Sequence, residues 1–385
     1  MTLADRAEQA AQEEELVSPA EELEKEELYV ASQWRLIWWR FRKHKLAMIA
    51  GPVIILLYLV AVFCEFLSPY TPLTRFPKYL DAPPHRVHFI DTSEGLKIGP
   101  YVYGLEPGRH PETYRRTFVP DESRKYPIRF FVHGESYKLL GLLETDLHLF
   151  GTDEEPVFLA GTDRLGRDIF SRSLYGARIS LSIGLVGIFL TFLLGLLLGG
   201  LSGYLGGPVD TAIQRTIDLL ISIPTLPLWM ALAAALPRDW PPLRIYFGIV
   251  IVLSVIGWTG LARVVRGKLL ALREEDFVMA ARLAGSSTLR VIARHLLPSF
   301  ASYIIVSLTL AIPNMILAET ALSFLGLGLQ PPVVSWGVLL QDAQNVQAVA
   351  QLPWRLIPAL FVVLTVLMFN FLGDGLRDAA DPYAR

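Results

Sequence analysis

The side chains of this sequence whose types could do chemistry fall short of any catalytic set at their spacing. His85 and His88 are three apart, the start of a metal pair, but no further ligand follows at metal spacing. Gly267-Lys268 comes nearest to a phosphate-cradling loop. Its upstream Gly is missing, because position 262 is Ala, and Leu269 stands where Ser or Thr would hold magnesium. No nucleophile elbow, zinc-binding helix motif or dinucleotide loop is present. The one cysteine, Cys64, sits in an apolar run with no second thiol for a disulfide or redox pair. The sequence assigns no catalytic residue, no metal site and no nucleotide site.

The remaining polar residues suit holding and pushing. Glu319 and Asn314 lie inside an apolar stretch, where a carboxylate is costly unless it faces water or a partner. Glu319 is expected near the outer mouth of a translocation path with Asn314 deeper along it, or else in an intersubunit hydrogen bond. The segment GTDRLGRDIFSR offers Thr162 as a cap and the i,i+4 pairs Asp163 with Arg167, Arg164 with Asp168, and Asp168 with Arg172. It is expected to be a helix on the outer surface, its charges either tidying a membrane-entry elbow or touching a receptor. Between residues 276 and 300, a helix over 276–283 would present Ala280, Ala281 and Ala284 as a small-residue surface. Gly285 would permit a turn, and Ser286 or Ser287 would cap a second helix. Pro298 would then fix the direction in which a push on this lever enters the next helix.

These residues need a bilayer around them. Of 385 residues 52% are hydrophobic, and mean hydropathy is +0.40, above the range of soluble domains. A net charge of −2 removes any whole-chain case for nucleic-acid binding. A helix crossing the hydrocarbon core needs about 20 apolar residues. Candidates lie at 46–67, 179–202, 212–236, 245–262, 300–323 and 356–373. Pro224 and Pro227 are expected to kink the third. Gly195, Gly199 and Gly203 form a small-residue seam in the second.

Arg35, Arg40, Arg42, Lys43 and Lys45 beside Trp34, Trp38 and Trp39 place the start of the first span in the cytosol. Six crossings return the C-terminus there. The loop of residues 263–298 then also falls inside, carrying Arg263, Arg266, Lys268, Arg273, Arg282, Arg290 and Arg294 against Glu274, Glu275 and Asp276. Residues 69–170 fall outside, where alternation such as YPIRFFVHG predicts a small β-rich domain on the membrane surface. The acidic residues 1–32 are expected to be a solvated cytosolic extension, not a signal peptide.

The 276–300 segment resembles the EAA loop of bacterial ABC importer permeases. Ala280, Ala281, Gly285, Leu297 and Pro298 fall in register, while Met279 replaces the usual Glu and His295 the usual Ile. GTDRLGRD resembles an element of dipeptide and oligopeptide permeases, and residues 319–340 and 370–382 extend the likeness. Only residues 75–155 depart, being longer than in common peptide permeases. The resemblance implies an all-α polytopic protein of six transmembrane helices with the type I ABC importer permease fold, a β-rich extracytoplasmic domain being inserted between helices 1 and 2. The divisions are 1–45 cytosolic tail and anchor, 46–67 first helix, 68–175 insert and surface helix, 176–374 permease core, and 375–385 cytosolic tail.

It also implies a non-catalytic subunit of the bacterial or archaeal inner membrane, importing di- or oligopeptides. Its partners would be a homologous permease, two cytosolic subunits that use ATP and Mg, and an extracytoplasmic substrate-binding protein. Oligosaccharide or nickel cargo is the alternative within the family. An ion-coupled carrier or a membrane scaffold is the alternative outside it.

Overall fold

The computed structural model describes residues 33–91, 97–112, 114, 116–237, 239–287 and 290–380. The expected acidic tail at 1–32 and the last residues, from 381, lie outside them, as does the side chain of His295.

Helix α1 (Gln33–Lys43) is the basic, aromatic anchor, with Arg40, Arg42 and Lys43 in its last turn and Trp38 stacked on Phe41 at 5.8 Å. His44 separates it from α2 (Lys45–Val62), capping that helix by accepting the Ala47 N–H at 3.2 Å. The long apolar helices α3 (Ile169–Leu205), α6 (Pro242–Leu272), α8 (Ala301–Phe324) and α10 (Ile357–Ala380) complete the bundle. All five are long and apolar enough to cross a membrane. With 37 residues, α3 is about 55 Å long, well beyond the hydrocarbon thickness, so it projects from the bilayer.

The expected span at 212–236 is sharply broken at Pro224, one of the two prolines expected to kink it. It is two helices, α4 (Gly207–Ser222) and α5 (Thr225–Ala234), meeting at 91°. Pro224 has no N–H to continue the ladder, and it holds the preceding Ile223 extended, with ψ 131°. The amphipathic α4 lies against the end of α6: Arg266 grips Asp210, with Nη2 to Oδ2 at 2.6 Å, and Arg263 reaches Asp218 at 2.7 Å. Two of the positive-inside arginines therefore have structural partners. The last helix, α10, runs on to Ala380, into the segment expected as a C-terminal tail from 375.

The glycine seam is where α3 meets α6. A Cβ on Gly199 would come within 2.5 Å of the Ala262 backbone, and one on Gly203 within 2.9 Å of the Arg266 carbonyl. Contact this close requires that both glycines stay bare.

Between α2 and α3 lies the insert, made of strands as expected. Strands β1 (His88–Asp91), β2 (Lys97–Arg109) and β3 (Arg116–Pro127) form one antiparallel sheet in that order. β4 (Arg129–Leu139) and β5 (Leu143–Gly151) form a separate hairpin. Its core is aromatic: Tyr70, Phe76, Tyr79 and Phe158 pack edge to face, with centroids 4.9–5.3 Å apart in the closest pairs. His85 is buried here, its Nδ1 accepting the Phe158 N–H at 3.0 Å. Burial lowers its pKa to about 4, against a pull from Glu155.

Candidate functional site

The segment between α6 and α8 is built from a short helix and a tight stop. Helix α7 (Asp276–Leu283) begins with an acidic residue and ends with Arg282 in its last turn, both favourable to the helix dipole. Gly285 follows at φ +78°. Its N–H donates to the Arg282 carbonyl at 2.9 Å and the Ser286 N–H to the Ala281 carbonyl at 3.0 Å, a Schellman stop. Val278 is fully buried among Val265, Leu269, Val291 and Leu296, which fastens α7 beneath the membrane helices. Arg282 lies over the Tyr204 ring at 5.1 Å, tying it to the end of α3.

The opposite face of α7 is bare. Leu283 is 89% exposed, and Phe277, Met279, Ala280 and Ala284 are exposed with it. Ala281 is half-buried against the cluster instead, so the small-residue surface expected at 280, 281 and 284 is split between two faces. Met279 and Leu283 are the part missed by sequence reasoning, although their i,i+4 spacing on one face of the helix could have disclosed it; Phe277, two residues before Met279, is exposed on another side. Leu297 is half-buried and Pro298 exposed after a π-helical stretch over Val291–Leu296.

The surface helix expected over GTDRLGRD is corrected: the segment is non-helical and buried. Asp163 forms an Asx turn, accepting the Leu165 and Arg167 N–H groups at 2.8 and 3.0 Å. This competes with helix formation. Its other oxygen takes Arg167 Nε at 2.7 Å and also Arg172. Arg172 therefore pairs with Asp163 and not Asp168, while Arg164 reaches out to Asp342 at 3.2 Å. Asp168 is the true cap, accepting the Ser171 N–H at 2.7 Å so that α3 starts at Ile169. Burial raises its pKa to about 6. Thr162 binds the insert, accepting the Ala82 N–H at 2.8 Å, and Trp354 Nε1 donates to the Thr162 carbonyl at 3.1 Å. With Asp163, Arg167, Asp168 and Arg172 all buried, this is a staple between insert and bundle, and none of the four is placed to touch a receptor.

Glu319 does not face a path and is corrected too. It is wholly buried, accepting hydroxyl donations from Ser323 at 2.8 Å, Ser335 at 2.7 Å and Ser180 at 3.3 Å. It thus joins α8 to α3 and to the start of a short helix, α9 (Trp336–Gln341), within one chain. Asn314 is exposed on α8, its amide donating only to the Leu310 carbonyl at 3.3 Å.

Residues 192–385 match the family model described as the binding-protein-dependent transport system inner membrane component. The chain belongs to this family. Residues 32–84 match the N-terminal TM domain of oligopeptide transport permease C, so the two models leave most of the insert between them. Relatives include the oligopeptide transport system permease protein OppC of Bacillus subtilis, 32% identical over 95% of this chain and 94% of that one. The dipeptide transport system permease protein DppC of the same organism is 44% identical over 58% of this chain and 68% of its own length. That of Lactococcus lactis is 33% identical over 90% of each. A solved inward facing MetNI methionine ABC transporter chain aligns at 18% identity over 55% of this chain and 97% of its own, with a TM-score of 0.42. As an inner membrane transport component, the chain has its five long apolar helices in the bilayer.

Proposed function

We propose that this chain is one half of the membrane pathway of an ATP-driven peptide importer of the type I permease fold, and that it transmits work without catalysing a reaction. A second, homologous permease completes the path. Two cytosolic subunits bind ATP and Mg and hydrolyse the nucleotide, and a binding protein delivers peptide from the insert side. Both termini and α7 face the cytosol. The relatives' names support the cargo, and the basic residues of α1 and of 263–298 support the orientation.

One observation carries the reading: α7 is held to the bundle by Val278 and turns an exposed apolar face, Met279 and Leu283, away from it. A partner gripping that face moves α7 about Gly285 and passes the motion through Leu297 and Pro298 into α8. The permease halves then rock between inward-open and outward-open forms. Asn314, exposed on α8, lies along the route the peptide takes.

The test is Gly285→Trp in the assembled importer. Nothing lies within 4 Å of a Cβ at Gly285, so the indole meets no neighbour in the free chain and obstructs a docked partner, the positive φ adding only a local strain at the stop. Insertion should persist while ATP hydrolysis no longer drives uptake. Unchanged uptake per ATP would refute the coupling role.

A further inference from the structure

The β4–β5 hairpin turns through Lys138-Leu139-Leu140-Gly141-Leu142-Leu143. Hairpin tips are ordinarily Asn, Asp or Gly, because the turn needs positive φ and faces water. Here Leu140 itself adopts φ +52° beside Gly141 at +73°, a backbone state unfavourable to any residue with a Cβ. Leu142 is 84% exposed, with Leu140 and Leu143 exposed beside it. An apolar tip on a strained turn fits a solvent other than water.

The same hairpin walls an apolar groove of about 620 Å³. Leu139 and Leu147 line one side; Leu56, Leu59, Phe63 and Phe66 line the other. The opposite face of α2, through Ile54, Leu57 and Ala61, packs into the bundle, so the groove opens on the face that looks away from it. The groove runs from Phe66 to Leu56, which lies about 9 Å inside the end of α2 at Val62. Its wall is therefore continuous with the bilayer-crossing surface of that helix. Lys138 and Glu144, an exposed cross-strand pair, stand just above the leucines at the level where charged ends reach headgroups.

We infer that the hairpin tip, residues 139–143, enters the leaflet on the insert's side beside α2, and that lipid acyl chains fill the groove. The insert then has two anchors: the buried Asp163 staple on the bundle and this finger in lipid. The inference rests on the membrane location of α2 and not on the cargo.

Spin labels at Leu142→Cys and Leu140→Cys test it in the assembled importer, reconstituted in phosphatidylethanolamine–phosphatidylglycerol vesicles. Val119→Cys, exposed in the other sheet, is the aqueous reference. Cys64 is fully buried, so the unsubstituted chain supplies the background. Both tip labels should relax several-fold more with dissolved oxygen relative to a water-soluble nickel complex than the label at 119 does. Free access of the nickel complex to the tip would overturn the inference by placing it in water. Exclusion of both reagents would overturn it by placing the tip against a neighbouring subunit.

Discussion

Asp163 and Glu319 are both buried carboxylates, satisfied by different means. Asp163 holds two guanidinium groups, Arg167 and Arg172, so Asp163→Asn leaves two buried cations without a counter-charge. Removing one partner of a buried pair costs about 3–5 kcal/mol. The variant should show a marked fall in the thermal unfolding temperature of the purified importer, whereas the exposed Arg164→Gln should not. Glu319 holds hydroxyls only, and Glu319→Ala orphans serine groups at about 1–3 kcal/mol for the buried donors left unsatisfied. Glu319→Gln keeps an acceptor and should lose less by the same measurement.

His85 titrates with a defined sign: with its pKa lowered to about 4 from 6.5, its contribution to stability is full above about pH 6.5 and is lost as pH falls through 4. Asp168, raised to about 6, acts in the opposite direction, its contribution being full below 3.8 and lost as pH rises through 6. The informative quantity is therefore the difference in melting profile between the native chain and His85→Gln, which should open below pH 6.5. Sequence alone marked Glu319 and the GTDRLGRD charges as exceptional. It could not aim them, because the direction of Glu319 depends on α3 and α9 meeting α8 through Ser180 and Ser335, residues far apart in the chain.

Among the elements, hydropathy sufficed for the five unbroken spans, since about 20 apolar residues have few alternatives to a crossing helix. At 212–236 it found the apolar stretch but not its path, because the window averages over two helices that meet at 91°. Charge spacing misled at 161–168, where i,i+4 pairs suggested a helix but the Asx turn at Asp163 and the cap at Asp168 had the stronger local claim. The glycine seam was legible in spacing alone, and it makes a paired prediction. Gly199→Val drives a side chain into the Ala262 backbone, while Gly200→Val meets nothing within 4 Å. Overpacking costs about 1–3 kcal/mol, so Gly199→Val should lower the yield of assembled protein and Gly200→Val should not. At the end of α7, Gly285→Ala imposes positive φ on an alanine at about 1–2 kcal/mol. Faster amide exchange at Ser286, with global melting unchanged, would confirm that the stop is local.

At the scale of the molecule, the family match covers the helical core and the entry helix, and the β insert sits between. That insert was foreseeable as strands from alternation and punctuation, but its attachment was not, because the staple and the hairpin finger are tertiary features. The bare apolar face of α7 and the insert bracket the helical bundle from its two ends. In the proposed function, ATP energy enters through α7 and leaves as peptide transport. The most direct test is ATP hydrolysis by the assembled complex in lipid nanodiscs with its binding protein, titrated separately with short peptides, oligosaccharides and nickel. Stimulation by peptides alone is the expected result, and stimulation by none of the three, or by sugar or nickel without peptide, would contradict it.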